Sequence, residues 1–259
     1  MKVHDILACP FCKSQLSAYN LGLICTNSSC EHSRPDNHFR SVDGTPILVS
    51  EISCDTVFSS ANTGSLVVGS GDGGKLKYLK RHLLGESKTT KRNFAEFIQL
   101  VKKNSDKPRV LVIGGAEIGS GSQSLYCPEI QLISTDIYLS SYVDYLSDAH
   151  YLPFKSGAFD GVVIQAVLEH VVEPEVVVSE IHRVLKSDGF VYAETPFMQQ
   201  VHMGAYDFTR YTVLGHRYLF KNFEKINAGG LDGAGVALAW SVRYFVQAIF
   251  RSKLLSKII

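Results

Sequence analysis

Apolar residues along this chain fall into three patterns. One short unbroken run stands at 110–113 (VLVI), and strand-like segments follow at 131–137 (QLISTDI), 159–167 (FDGVVIQAV) and 190–195 (FVYAET), the last stopped by Pro196. A run without alternation fits a strand buried on both faces, as in a parallel sheet covered by helices. Between the runs, Phe94, Phe97, Ile98 and Val101 recur at helical spacing and predict an amphipathic helix over 91–103. Residues 173–186 repeat that period, and Ser187-Asp188-Gly189 turns the chain into the last strand. Strands alternating with helices specify a doubly wound, mostly parallel α/β sheet with helices on both faces. Ligands are then expected at the C-terminal ends of its strands. The third pattern is residues 236–250, apolar nearly all round, with Arg243 and Gln247 as the chief breaks. Such a helix is usually buried in its domain. The competing reading is a peripheral membrane contact through 236–257, with Trp240, Tyr244, Arg251, Lys253 and Lys257 at the interface.

The richest turn is in residues 109–121, RVLVIGGAEIGSG. Its small residues let the backbone bend sharply and let a cofactor approach main-chain N–H groups at a helix start. As a fingerprint, Gly114-x-Ala116-x-x-Gly119 is a weak dinucleotide-type match, and an ordinary strand-to-helix turn explains it equally well. Asp136, about twenty residues on, ends the second strand, where it can accept hydrogen bonds from ribose hydroxyls. Asp148, before a Leu-Pro-Phe turn, is a third candidate, placed to receive an adenine amino group.

Residues 1–50 read as a separate β-rich unit. Cys9-Pro10-Phe11-Cys12 is a C-x2-C knuckle, and Cys25 and Cys30 supply a second pair. Two short cysteine hairpins facing each other offer zinc four soft ligands, a structural set with no open position for a substrate water. The Cys25-x4-Cys30 spacing is loose, so His32 or His38 remains an alternative to Cys30. Residues 51–74 are dense in Ser, Thr, Asn and Gly and read as a linker. Its GSGDGG run lacks the Lys-Ser/Thr of a phosphate-binding loop. Residues 75–108 are rich in Lys and Arg, which fits either a solvated helix face or a contact for RNA, phosphorylated substrate or anionic lipid.

Composition narrows the field. With 45% hydrophobic and 20% charged residues, the 259-residue chain can bury a real core. A formal net charge of +1 leaves no global field toward nucleic acid. No signal-peptide pattern opens the sequence, no apolar stretch is long enough to cross a bilayer, and clustered cysteines suit a reducing compartment. The expectation is a cytoplasmic protein.

Two resemblances add to this reading. The segments ILACPFC and DGTP (Asp43, Gly44, Pro46) resemble small zinc-ribbon methyltransferase activators and related N-terminal modules of bacterial methyltransferases. The segments VLVIGGAEIGSG, TDI, DAHYLPF, FDGVVIQAVLEHVVEP and EIHRVLKSDGFVYAETP resemble class I S-adenosylmethionine-dependent methyltransferases of the UbiE/type 11 group. By that resemblance the methyltransferase domain spans 75–259, with its core at 109–226. Gly114, Gly115 and Ala116 would face the methionine part, Asp136 and Ile137 the ribose, and Asp148 and Ala149 the adenine. Gln165, Ala166 and His170 would line the methyl-transfer end. Val112 and Ala116 depart from the pattern, since many members have an acid and a glycine there. The loop PFMQQVHMGAYDFTRYT resembles loops of methyltransferase-like proteins associated with bacterial surface-polysaccharide and natural-product genes. Tyr206, Asp207, Arg210 and Tyr211 would contact the acceptor, with His170 or His202 as base; a structural Asp–Arg pair is the competing reading. The implied activity is methyl transfer to a small-molecule or glycan-type acceptor. The rivals are an rRNA-type methyltransferase with a zinc-finger substrate module and a non-catalytic cofactor-binding scaffold.

Overall fold

The computed structural model describes residues 5–49, 88–119, 121–201 and 206–250. The expected linker at 51–74 and the basic residues 75–87 lie outside them. The N-terminal unit holds the hairpin β1 (Leu16–Tyr19) and β2 (Gly22–Cys25), then β3 (Ser41–Val42) and β4 (Thr45–Leu48). Helix α1 (Lys88–Val101) leads into β5 (Arg109–Ile113), β6 (Gln131–Asp136), β7 (Tyr145–Ser147) and β8 (Phe159–Gln165). Helix α2 (Pro174–Val184), β9 (Leu185–Glu194), α3 (Val213–Leu219) and α4 (Ala234–Phe250) follow.

Seven strands form one sheet in the order β3-β4-β7-β6-β5-β8-β9, parallel except for the β3–β4 pair. Alternate residues of β5 face opposite layers. Val110 packs with Phe94, Phe97 and Val101 of α1, whereas Leu111 and Ile113 share a core with Val177, Ile181 and Val184 of α2. One helix therefore covers each face, which is why the strand runs lack polar alternation. Register breaks between β8 and β9, where Phe159 pairs Leu185 but Gly161 pairs Phe190; Ser187-Asp188-Gly189, expected as a turn, lie within β9.

Residues 5–49 do not stand apart. Ile6, Leu7, Leu16, Leu23, Phe39 and Leu48 belong to the same apolar core as Leu111 and Ile164. Strand β4 extends the large sheet by parallel pairing, Ile47 with Leu146 and Leu48 with Ser147. Ala8 N–H donates to Pro153 O at 3.0 Å and Lys155 N–H to Ile6 O at 2.8 Å. The Lys13 ammonium meets Glu180 at 2.9 Å, and Arg183 binds both oxygens of Glu180 and the carbonyls of Leu152 and Phe154. Burial opposes charge on Glu180, but Arg183 and Lys13 prevail and hold its carboxyl below the usual carboxylate range.

Helix α4 forms as expected but is not buried. Leu238, Val242, Phe245 and Ile249 face solvent, against the expectation that an apolar helix ends in the core. Among the described residues no helix is long and apolar enough to cross a membrane.

Glu180 joins the cysteine unit to the sheet domain, so Glu180→Ala would leave Lys13 and Arg183 half-buried without a counter-charge. Chemical unfolding should show a loss of about 2 kcal/mol, below the range for a fully buried pair because Lys13 keeps contact with water. An unchanged unfolding midpoint would show that the apolar core alone fastens the unit.

Candidate active site

The C-terminal ends of β5, β6, β7 and β8 bring the expected cofactor residues to one edge of the sheet. Gly114, at φ +78°, starts the turn, and a Cβ there would lie 2.2 Å from Val167 Cγ2. A Cβ on Gly119 would lie 2.0 Å from Gln165 Oε1. These glycines thus let the loop close onto β8 and the residues after it, and the packing demand is as strong as any cofactor demand. Asp136 pins the loop from the other side. Its Oδ2 accepts from Ala116 N–H at 2.8 Å and its Oδ1 from Tyr138 N–H at 2.9 Å. Burial raises the Asp136 carboxyl, while hydrogen bonds from Tyr138 and Ala116 pull it back. Each oxygen keeps a lone pair for a further donor.

A cleft enclosing about 340 Å³ of empty space, open solvent included, lies between this loop and β8. Val112, Gly114, Glu117, Gly119, Tyr126 and Gln165 are among its lining residues. Gly115, Ala116, Asp136, Ile137, Asp148 and Ala149 are not. Asp148 is buried and occupied: its Oδ1 accepts from His150 N–H at 2.9 Å and from His150 Nδ1 at 2.5 Å. The other His150 nitrogen accepts from Glu173 N–H at 3.3 Å, which fixes the tautomer and leaves only Asp148 Oδ2 for a ligand. Gln165 donates to Glu194 at 2.6 Å, and Tyr192 Oη donates to the other Glu194 oxygen. Ala166, the next residue, sits at φ +53°, a left-handed conformation that non-glycine residues rarely adopt and that clusters at functional sites.

Residues 206–211 dock on the short turn Leu168–His170. Phe208 N–H donates to Glu169 O at 2.8 Å. His170 Nδ1 lies 2.5 Å from Tyr206 O. A carbonyl can only accept, so Nδ1 carries the proton of neutral His170 and Nε2 keeps its lone pair. Glu169 is fully buried, and neither of its carboxylate oxygens has a hydrogen-bond partner; Oε1 lies 3.6 Å from His170 Nε2. Burial pushes the Glu169 carboxyl up to about 7, with Arg210 pulling against it. Arg210 is committed: it forks onto both oxygens of Asp207 and donates to the carbonyls of Gln199, Gln200 and Thr209. Its guanidinium holds the loop together, the arrangement that the competing reading of a structural Asp–Arg pair expects. His202 lies outside the described residues.

The four cysteines of the N-terminal unit converge. Their Sγ atoms all lie within 4.8 Å of one another, with Cys9–Cys30 at 3.8 Å and Cys12–Cys25 at 3.4 Å. Tetrahedral Zn–S bonds of about 2.3 Å imply S–S separations of about 3.8 Å, so the donor set fits a tetrahedral thiophilic metal. His32 and His38 are engaged elsewhere: His32 stacks against Phe11 and Phe39, and His38 Nδ1 lies 2.7 Å from Pro35 O. Cys30 keeps its place in the cluster.

Residues 66–193, just under half of the chain, match the family model described as a methyltransferase domain. That segment is similar to a methyltransferase domain. The match supports an enzyme that uses S-adenosylmethionine as its methyl donor. It ends at Ala193, so the loop after β9 and the cysteine unit lie beyond it. No curated protein matches the sequence. Among solved structures, a chain of the Haloferax volcanii Trm112 methyltransferase activator complex is 18% identical over 52% of this chain and 70% of its own, with a TM-score of 0.38. A Thermotoga maritima S-adenosylmethionine-dependent methyltransferase is 18% identical over 58% and 78%, at 0.39. The YcgJ protein of Bacillus subtilis is 25% identical over 38% and 49%, at 0.29. At such TM-scores these neighbours add no weight on activity to the domain match.

Three acids at this edge of the sheet were not singled out from sequence: Glu117, Glu169 and Glu194. Glu117 is the one acid inside the glycine turn, and Glu169 precedes the His already singled out, so both stood in view. What was hidden is burial and direction, which depend on residues far along the chain.

Glu169 generates a pH signature. A carboxyl raised from 4.5 to about 7 in the folded state favours folding below pH 4.5, and that contribution is lost as pH rises through 7. Glu169→Gln removes the titration. Between pH 5 and 8 the variant should gain stability relative to wild type by up to about 3 kcal/mol, read from urea unfolding at each pH. Parallel pH profiles for the two proteins would show that Glu169 is solvated.

Proposed function

We propose that this enzyme transfers the methyl group of S-adenosylmethionine to a hydroxyl of a small-molecule or glycan-type acceptor, and that its four cysteines hold a structural zinc. The supporting observation is the convergence of the glycine turn, Asp136 and the Glu169–His170 pair on one sheet edge, inside or beside the domain match. Bound cofactor supplies an electrophilic methyl group. Gly114 and Gly119 keep the cleft free of side chains, and Asp136 keeps lone pairs for ribose hydroxyls. Glu117, lining the same cleft, is the acid that would meet the cofactor's cationic amino group in place of Val112. His170, with Nδ1–H held by Tyr206 O, is the base for a hydroxyl proton at Nε2, and Glu169 stands ready to stabilise the imidazolium.

The rim favours a neutral acceptor. Phe197, Met198, Val201 and Phe208 are exposed, and aromatic faces suit a sugar ring. Arg210, with its donors committed, is not free to grip a phosphate or carboxylate.

S-adenosylhomocysteine titrated by calorimetry tests the cofactor assignment without knowledge of the acceptor. Asp136→Ala should weaken it by about tenfold to a hundredfold, the effect of losing a charged hydrogen-bond acceptor. Glu117→Gln should weaken it by about tenfold if that acid meets the amino group. No binding to folded wild type would refute the reading.

Metal analysis of the purified chain should give one zinc, absent or sharply reduced in Cys12→Ser, with a lower melting temperature. A metal-free wild type with normal melting would remove zinc from the proposal.

A further inference from the structure

Helix α4 is out of keeping with a water-exposed position. Leu238, Val242, Phe245 and Ile249 follow at spacings of four, three and four residues, so they share one face, and each is exposed, Leu238 and Phe245 to 65%. Ala237, Trp240 and Tyr244, on the other side, are partly covered. The result is an apolar stripe about 16 Å long with no protein over it among the described residues. Scattered exposed apolar residues are ordinary, but a continuous stripe marks an interaction surface.

The charges around it select the occupant. From residue 233 to residue 259 the sequence contains no Asp or Glu, while Arg243, Arg251, Lys253 and Lys257 are cationic. A second copy docked on the stripe would bring two such acid-free segments together with nothing to neutralise them. Anionic lipid headgroups supply the missing charge and the acyl boundary takes the apolar side chains. Among the described residues no helix is long and apolar enough to cross a membrane, and a helix with one exposed apolar face suits lying in the interface.

We infer that α4 is an in-plane anchor that docks this enzyme on anionic membrane surfaces through Leu238, Val242, Phe245 and Ile249.

The test uses the full chain and vesicle flotation, with phosphatidylcholine alone or mixed with phosphatidylglycerol. Wild type should partition into the anionic vesicles about tenfold or more better than into neutral ones, and lose that preference at high salt. The double variant L238D/F245D should lose about tenfold or more of the binding. R243E should lose several-fold. Both variants alter exposed side chains, so their melting temperatures and S-adenosylhomocysteine affinity should match wild type.

Wild type that stays with the aqueous phase overturns the anchor, as does binding that L238D/F245D leaves unchanged. Sedimentation of a wild-type dimer that L238D/F245D converts to monomer, without vesicle binding, would assign the stripe to a second copy instead. Flotation needs neither cofactor nor acceptor, so its failure leaves the methyltransferase reading intact, and failure of cofactor binding leaves the anchor intact.

Discussion

A strand paired on both edges and covered on both faces can release its chain only at its ends, and β5 is such a strand. It pairs with β6 on one side and β8 on the other, with α1 and α2 packed above and below. Its residues are fixed in register to Gln131–Thr135 and Gly161–Ile164, so the turn after Ile113 emerges beside the ends of both neighbours. Everything proposed for the site depends on this shared edge. Gly114 closes against Val167, Ala116 is tied to Asp136, and Gly119 lies against Gln165. Parallel pairing makes the edge a site because all of these strands end on the same side.

Buried acids then sort by what surrounds them. Asp160 accepts from Arg109 N–H at 2.8 Å and pairs with Lys186 at 2.6 Å, which ties β5, β8 and β9 at the opposite end of the sheet. Asp148 is spent on His150, and Glu194 on Gln165 and Tyr192. Glu169 alone among these has no hydrogen bond to its carboxylate. An unsatisfied buried carboxyl is costly, and proteins keep such groups where a proton or ligand is handled. Its position under the 206–211 loop and beside His170 gives that cost a chemical use.

The cysteine unit acts on the same site through backbone contacts. Knuckle residues Ala8 and Lys13 touch Pro153, Leu152 and Glu180, and these belong to the segment that follows Asp148 or to the helix packed on it. Strand β4 continues the sheet past β7, so the strand bearing Asp148 is interior and not an edge. A metal that fixes the knuckle therefore also fixes one wall of the ligand edge.

The sequence by itself determined the strands, the order of the motifs and the identity of the candidate ligands. Unbroken apolar runs, glycine turns and paired cysteines are local patterns, and local sterics and metal stereochemistry constrain them before any long-range contact forms. Even so, β7 was not delimited from sequence, because three buried residues carry too little periodicity. Tertiary structure alone decided which polar groups remain available. Sequence left Arg210 as either an acceptor clamp or half of a structural pair, and in the fold Asp207 and three carbonyls fill its donors, while His150 takes one oxygen of Asp148. It also left the apolar C-terminal helix exposed, where composition favoured burial. Hydrogen-bond capacity and burial are properties of what surrounds a side chain, and the surroundings come from residues distant in the chain, brought close only by the fold.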